Sequence, residues 1–558
     1  MDAAALQSIL AQSNRLMNEG KAAAARDLLT PVMDQFPQSP QLAYTLGTVL
    51  YSLGQIQDAM HRFEKAVNLK PDHAPYCNAL GACLNSLGAP EMAIEMYKRA
   101  LQLDPAGWDT YYNLGNALGK LGHTDEAIAS YQNALRISPT NISIHGNLAN
   151  ALRAARRFDE AIAYLQTALV IDPNSSLIHV NLGNIYLDIK YNKTGLYHLF
   201  RAHDLNPNEN HVESNIALGL MADHHIDDAI AYLDGLIAAT PDDDRLIMIR
   251  AHAKLHQGRY ADGWRDYENR IYAKDKVQRH EPGQLWDGSS YPGKRLVIIA
   301  EQGLGDALWI ARYLPRVKAL GGELIMECAP EIMPMIAAMG AVDRFVERRE
   351  DTVLPDADYF LYQCSLPALF SPDVASIPGE PYFKPDPAQA AKFLPALAKG
   401  EGKLKVGIIW SGNTKFPGNY DRAAPLSLFM QSLAMPGVQL YSLQKGEPAK
   451  DLQGNVSSAP IIDMDPLIHN FLDTATLASM LDLVIMTDTS TAHLVGALGK
   501  PIWLLLNYLP NWLWRTTGST SPWYPSMRIF RPAAWNDWRG IFDEASTELR
   551  KLASPQRP

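Results

Sequence analysis

The residues of this chain best equipped for chemistry lie in two short turns. One is Asp488-Thr489-Ser490-Thr491, followed by His493. Three hydroxyl residues opening a helix offer side-chain oxygens and free backbone N–H groups at its positive end, a natural seat for a diphosphate. Asp488 is a candidate to hold a ligand hydroxyl, and His493 to reach phosphate or a neighbouring group. Helix capping by Thr489 and Ser490, and a structural histidine, are the plain alternatives. The other turn is Gly303-Leu304-Gly305-Asp306. Its glycines let backbone approach a ligand closely, and Asp306 can cap the helix that follows. Lys445 and Arg422 are candidate partners of phosphate oxygens, and either could instead be a solvated surface charge.

These turns need strand ends to hold them. Leu481 to Met486 reads as a buried parallel strand, the helix after it ends at Gly499-Lys500-Pro501, and Ile502 to Leu506 is another strand, making a βαβ unit. Lys294 to Ala300 is a buried-strand pattern running into the glycine turn, followed by a helical stretch from Ala307 to Leu320. Leu324 to Cys328, Phe345-Val346 and Tyr359 to Leu361 read as further strands, with a helix over Glu331 to Met339. Strand–helix alternation of this kind predicts a doubly wound parallel sheet, whose ligands bind at the carboxyl ends of the strands. A low-complexity stretch, 386–403, separates this half from a second one. That half opens on the strand Leu404 to Trp410 and the loop Ser411-Gly412-Asn413, and continues with the strand Val438 to Ser442 before Gln444-Lys445-Gly446.

The first half of the chain repeats itself. Pro37, Pro71, Pro105, Pro139, Pro173, Pro207 and Pro241 recur every 34 residues, and Gly20, Gly54, Gly88 and Gly122 keep the same period, which returns at Gly258. Small residues share it at Ala25, Ala59, Ala93, Ala127, Ala161, Gly195, Ala229 and Gly263. A turn-forming Gly, a close-packing Ala and a helix-stopping Pro in one 34-residue unit resemble the tetratricopeptide repeat (TPR). Eight units start at 7, 41, 75, 109, 143, 177, 211 and 245. Arg156, Lys190 and His224 replace the turn Gly, so looser turns are expected there. The first helices carry Asn113, Asn147, Asn181 and Asn215 at one repeat position, and Asn116, Asn150 and Asn184 three residues on. Such columns suit pairing with the main chain of an extended peptide; the alternative is that Asn is simply frequent in repeat sequences.

The expected layout is therefore an α-solenoid over 1–278, a junction over 279–293 and an α/β half over 294–385. A linker over 386–403 and a second α/β half over 404–558 complete it. Trp286 in the junction indicates packing and a rigid join. The formal charge of −10 gives no electrostatic reason to expect nucleic acid or an anionic membrane surface. The four cysteines have no metal-ligand spacing, no basic-then-apolar leader is evident, and no apolar stretch reaches the ~20 residues of a membrane span. A soluble, cytoplasmic protein is expected. Asp463-Met-Asp465 has the spelling of a metal-binding Asp-x-Asp but follows a strand in the second half. Trp503, Trp512, Trp514 and Trp523 are candidates to stack on a ligand, although core packing is the commoner use of such residues.

Taken together, Trp410-Ser-Gly-Asn413, Arg422 before Pro425-Leu426, Ser442-Leu-Gln-Lys445-Gly, Asp473-Thr474, Asp488-Thr489…His493 and Ser521-Pro-Trp-Tyr-Pro525 resemble the TPR-linked, heptosyltransferase-like glycosyltransferases. Gly305-Asp306 through Pro315 resembles the opening of the same family. Ala423 departs from it, where relatives carry Ser. The resemblance implies a GT-B fold with two Rossmann-like halves and metal-independent, inverting transfer from a nucleotide-sugar, with no cofactor besides that donor substrate. It implies Asp306 as base, Gly303 and Gly305 in the acceptor loop, and Ser411, Gly412, Asn413, Arg422, Gln444, Lys445, Asp488, Thr489, Ser490, Thr491 and His493 about the donor. The Asn columns resemble the asparagine ladder of TPR-bearing protein glycosyltransferases, which implies a protein acceptor on the concave face. Bacterial relatives of this layout include flagellin glycosyltransferases. A saccharide or lipid-linked acceptor, and a non-catalytic scaffold, remain the alternatives.

Overall fold

The computed structural model describes residues 3–209, 211–272, 279–349, 351–416, 418–454 and 461–554. The chain forms two compact units, Met1–Gly219 and Leu220–Pro558.

The first unit is helical hairpins in series: Pro40–Ser52 with Ile56–Leu69, Ala74–Ser86 with Pro90–Leu103, Trp108–Lys120 with Thr124–Ile137, Ile142–Ala154 with Phe158–Ile171, and Ser176–Asp188 with Asn192–Leu205. Small residues set the distance within each hairpin. A Cβ built on Gly47, Gly81 or Gly115 would stand 2.7, 2.7 or 2.6 Å from the ring of Phe63, Tyr97 or Tyr131, so the paired helix lays its aromatic ring directly on glycine backbone. Ala59, Ala93, Ala127 and Ala161, on the paired helices, are fully buried. Adding a methyl group at such a glycine overpacks the hairpin and costs about 1–3 kcal/mol.

The turns expected to be loose are not. Arg156, Lys190 and His224 adopt φ of 59°, 65° and 62°, beside 75°, 82° and 77° at Gly54, Gly88 and Gly122. The hydrogen bond closing each helix end is also kept. It runs from Gln55 N to Leu50 O (3.0 Å), Ala89 N to Leu84 O (2.9 Å), Arg157 N to Leu152 O (2.8 Å), Tyr191 N to Tyr186 O (2.8 Å) and His225 N to Leu220 O (2.9 Å). Packing of the two helices dictates the turn. The non-glycine residues accept a left-handed conformation at a cost of about 1 kcal/mol each.

The second unit begins with the last hairpins, Ile226–Ala239 and then Asp244–His256 with Tyr260–Tyr267, and a 3₁₀ turn over Glu268–Ile271. The expected end of the eighth repeat near Gln278 lies outside the described residues. Two parallel sheets follow. The first contains β1 (Gln284–Leu285), β2 (Arg295–Ile299), β3 (Glu323–Cys328), β4 (Arg344–Glu347) and β5 (Tyr359–Tyr362) in the order β1-β5-β2-β3-β4. The second contains β6 (Leu404–Ile409), β7 (Val438–Ser442), β8 (Ile462–Asp463), β9 (Leu483–Thr487), β10 (Ile502–Leu505) and β11 (Met527–Phe530) in the order β11-β10-β9-β6-β7-β8. Every registered strand pair is parallel, and the central strands are buried along their length, as their unbroken apolar runs require. In each sheet the chain first builds outward on one side and then crosses to the other. The connections therefore diverge between β2 and β5 in one sheet and between β6 and β9 in the other, and this divergence opens a crevice at the strands' carboxyl ends.

Two stretches expected to be connectors are structured. The junction supplies β1, pairing with β5, and Trp286 is buried with its backbone N–H donating to Phe360 O at 2.9 Å as its ring packs on Tyr291 and Phe370. The 386–403 stretch forms short helical turns at Pro387–Ala390 and Leu394–Leu397. Phe393 and Leu397, four residues apart, are buried, and Lys392 pairs with Asp473. Apolar residues on one helical face dock the segment despite its Ala, Lys and Pro content.

Candidate functional site

Both divergence points carry the residues singled out from the sequence. Beyond β6 the chain runs through Trp410 into Ser411-Gly412-Asn413, and beyond β9 through Asp488 into the helix Ser490–Ala497. Gln444 ties the first of these loops down. Its amide oxygen accepts from Trp410 N (3.1 Å) and Ser411 N (2.9 Å), while its amide nitrogen donates to Ser411 O and Lys445 O, both at 3.0 Å. Asn419, which the sequence reading passed over, completes the clamp by accepting from Gly412 N at 2.8 Å and donating to Ser411 Oγ at 3.0 Å.

A cavity of about 460 Å³ opens here, lined by Ser411 to Thr414, Gln444 to Pro448 and Thr489 to Thr491, with Leu443, Ile468 and Phe471 supplying apolar wall. Thr489 occupies the N-cap position, yet its side chain makes no capping bond, and its buried hydroxyl has no partner among the described residues. Capping therefore does not account for Thr489. The helix presents a hydroxyl, its positive end, Ser490 and Thr491 to the cavity.

The two expected cations are already engaged. Lys445 lines the cavity but pairs with Asp465 and donates to Ile468 O at 2.8 Å and Asp465 O at 3.1 Å. Asp465, one of the two loop acids, is thus the partner of Lys445. Arg422 stands 3.7 Å from Asp488 and over the ring of Phe416. Asp488 is itself buried, and burial raises its pKa, while Arg422 and the Trp514 side chain pull it down.

His493 is buried, with Nδ1 3.1 Å from Tyr524 Oη and its ring stacked on Trp514 at 5.0 Å. Burial, with Arg312 and Arg422 adding to it, lowers its pKa to about 3, so the imidazole is neutral at physiological pH. Its other edge meets the first sheet's turn. A Cβ built on Gly305 would stand 3.2 Å from His493 Cδ2, 3.6 Å from His493 Nε2 and 3.5 Å from Ser490 Cα. The glycine lets the first turn lie close against the imidazole and the Ser490 backbone, and even a methyl group here would press on the His493 ring.

Asp306 follows immediately. Its Oδ2 accepts from Gly303 N at 3.1 Å and its Oδ1 from Trp309 Nε1 at 3.3 Å, so it does brace the first turn of Leu304–Ile310. Each oxygen retains a lone pair. Asp306 keeps a strip of exposed surface but is densely surrounded. Burial, with the charge of Asp488 contributing, raises its pKa despite the two donors. The two divergence points thus meet: Asp306 and Gly305 from one sheet stand against Asp488, Ser490 and His493 from the other.

Arg312 had no sequence signal. It is buried, and its guanidinium donates to Trp309 O (2.8 Å), Pro378 O (3.0 Å) and Trp523 O (2.8 Å) among the rings of Tyr382, Trp523 and Tyr524. Among the described residues no carboxylate pairs with it. The tryptophans are mostly core: Trp514 and Trp523 are buried, and Trp309 packs on both Trp512 and Trp523. Among the described residues no group of three or more His, Cys, Asp or Glu could hold a metal ion, and no helix is long and apolar enough to cross a membrane.

In the first unit three of the column asparagines bond to the preceding repeat. Asn113 donates to Asn78 Oδ1 at 3.0 Å, and Asn147 donates to Tyr112 Oη at 2.9 Å and Asn116 Oδ1 at 3.0 Å. Asn181 is buried and donates to Gly146 O at 3.4 Å. Asn150 is exposed, and Asn184 and Asn215 are half-buried.

Family models described as tetratricopeptide repeat match residues 16–83, 120–185 and 215–277, and one described as TPR repeat matches 84–122. Protein FlbA of Caulobacter vibrioides is 30% identical over 333 residues, covering 55% of this chain and 55% of FlbA, so the match spans about half the length of that relative. Similar solved structures include YrrB, described as a TPR protein with an unusual peptide-binding site (20% identity, TM-score 0.30, 35% of this chain and 97% of that one). Another is TTC0263, a thermophilic TPR protein of Thermus thermophilus (23%, 0.29, 33% and 100%). The N-terminal half of this chain is built of tetratricopeptide repeats, and its C-terminal half of parallel sheets flanked by helices.

Proposed function

We propose that this protein is a glycosyltransferase of GT-B architecture that moves a sugar from a nucleotide-sugar to a Ser or Thr hydroxyl of a protein held by the TPR array. The observation that carries the reading is the meeting of two divergence points beside a cavity of about 460 Å³, with a carboxylate on one and an uncapped helix start on the other. In this reading the donor's phosphates sit at the amides of Ser490 and Thr491 and the hydroxyl of Thr489. The loop Ser411 to Asn413, held by Gln444 and Asn419, forms the opposite wall.

Transfer needs a base for the acceptor hydroxyl and stabilisation of the departing phosphate. Asp306 is the base, and its raised pKa strengthens it as a proton acceptor relative to an ordinary aspartate. Neutral His493 offers an uncharged polar edge between base and donor. Lys445 contributes charge to the phosphates by exchanging Asp465 for them. Among protein acceptors, flagellin is suggested by the sequence resemblance, and the Asn columns are the candidate peptide contacts. A second reading, a TPR scaffold whose α/β half does not turn over, is favoured by one observation: Lys445 and Arg422 are both paired with carboxylates.

Intact-mass analysis of candidate acceptors, incubated with the chain and a panel of nucleotide-sugars, tests the proposal. A sugar-sized mass increase is expected with the natural chain and not with Asp306→Asn. Transfer that persists in Asp306→Asn removes the base assignment, and no transfer from any donor moves the conclusion to the scaffold.

A further inference from the structure

We propose that Arg270, in the 3₁₀ turn that follows the last repeat hairpin, is a positioning residue for the turn that carries Asp306, so that this last hairpin contributes to the site. All five guanidinium N–H groups are used. Nε donates to Glu301 Oε1 at 2.9 Å, and Nη2 to Glu301 Oε2 at 3.0 Å and Ser365 Oγ at 2.8 Å, while Nη1 reaches Tyr267 O at 3.1 Å and Glu268 Oε1 at 2.7 Å. The guanidinium also lies 4.5 Å from the centre of the Tyr267 ring. Glu301 is the first residue of the Glu301–Asp306 turn.

The same turn is gripped from the sheet side. Glu301 Oε2 accepts from Cys364 N at 3.0 Å, and Arg348 donates to Glu301 O and Gln302 O, both at 2.6 Å. Arg270 therefore joins three elements: the end of the repeats, the turn after β2 and the turn after β5. A two-pronged Arg–carboxylate pair fixes orientation as well as distance. From Glu301 the chain needs five residues to reach Asp306, whose carboxylate returns to Gly303 N. Movement at Glu301 is passed to the base. Tyr267, on the last helix of the array, completes the link through its carbonyl and ring on Arg270; burial first, with the charges of Glu301 and Asp306 among smaller causes, raises the pKa of its phenol.

As regards turnover the inference rests on the reading of Asp306 as base, but its structural core does not. Hydrogen–deuterium exchange of the full chain follows the peptide covering 301–310 in Arg270→Lys, Glu301→Gln and the control Arg250→Lys. Arg250 pairs with Asp234 and Asp266 within the array. Exchange at 301–310 is expected to accelerate at least tenfold in the first two variants and to match the natural chain in the control. Unchanged exchange in both variants overturns the proposal, and so does loss of the whole fold in both, because the network would then hold the domain and not the turn. Where the natural chain transfers sugar, kcat is expected to fall at least tenfold in Arg270→Lys with the donor KM within twofold, whereas a general loosening would raise KM as well. A natural chain that neither binds nor transfers, combined with the expected exchange pattern, removes the transferase reading and leaves the positional link standing.

Discussion

Replacing Arg312 by Met is the sharpest test of how the two sheets are joined. Methionine fills much of the same volume but leaves the carbonyls of Trp309, Pro378 and Trp523 without their donor. Each buried carbonyl left unpaired costs about 1–3 kcal/mol. Removing a desolvated cation that has no carboxylate partner gives part of this back. A net loss of about 3 kcal/mol is expected. The unit Leu220–Pro558 has 339 residues (558 − 219), so its unfolding entropy is about 0.7 kcal/mol per kelvin at ~2.1 cal per mole per kelvin per residue, and 3 kcal/mol lowers Tm by about 4 °C. Tryptophan fluorescence reads this unit almost alone, because Trp108 is the one tryptophan of eleven in the first unit. A fall below about 1 °C, or a rise, would show instead that the buried cation's desolvation outweighs its hydrogen bonds. Tyr524 lies against both the Arg312 guanidinium and His493, so the variant should also weaken ligand binding at the cavity.

Other consequences are as direct. His493 and His256 have pKa values lowered to about 3 and about 4, chiefly by burial, so the unfolded chain takes up protons below pH 6.5 while the folded chain does not. At pH 5.0 each costs about 2 kcal/mol (1.5 units at ~1.36), partly offset by Asp306 and Asp488, whose raised pKa values act in the opposite sense. Denaturant titrations of natural chain and His493→Gln at pH 7.5 and 5.0 should show a loss about 2 kcal/mol smaller in the variant, and equal losses would contradict the assignment. Asp488→Asn removes a charge that raises the pKa of Asp306, so the acid limb of kcat/KM should move to lower pH, and an upward move would sink that electrostatic picture. Asn147→Ala deletes two inter-repeat bonds and should cost about 1–2 kcal/mol in urea unfolding of the first unit, with no effect on the tryptophan-reported transition.

The repeats were legible because period and side-chain size carry them: a glycine under Phe63 or Tyr97 is visible in sequence as a 34-residue recurrence. Most strands of the two sheets were legible as apolar runs, and the turns beyond β2, β6 and β9 as the polar breaks between them. What stayed hidden were partnerships over long sequence distances. Lys445 with Asp465, Arg422 with Asp488 and Arg270 with Glu301 depend on which turns the folded chain brings together, and none follows from local spacing. Arg312 reads as one more helix residue until the carbonyls of Pro378 and Trp523 close around it. The short β1 and the docked 386–403 segment were missed because Gly, Pro, Ala and Lys dominate their composition, while Trp286, Phe393 and Leu397 decide their burial.

In the transferase reading the cavity beside β6 and β9 takes a nucleotide-sugar. Fluorescence-monitored melting of the natural chain and of Thr414→Trp, which places a bulky ring at the cavity's exposed wall, against a panel of nucleotides and nucleotide-sugars tests it most directly. A ligand at one hundred times its Kd stabilises the folded state by about 2.7 kcal/mol, which for this unit is about 4 °C. A dose-dependent rise of that size is expected with one nucleotide class in the natural chain, and little or none in Thr414→Trp. No rise with any nucleotide, or an equal rise in both proteins, would contradict it.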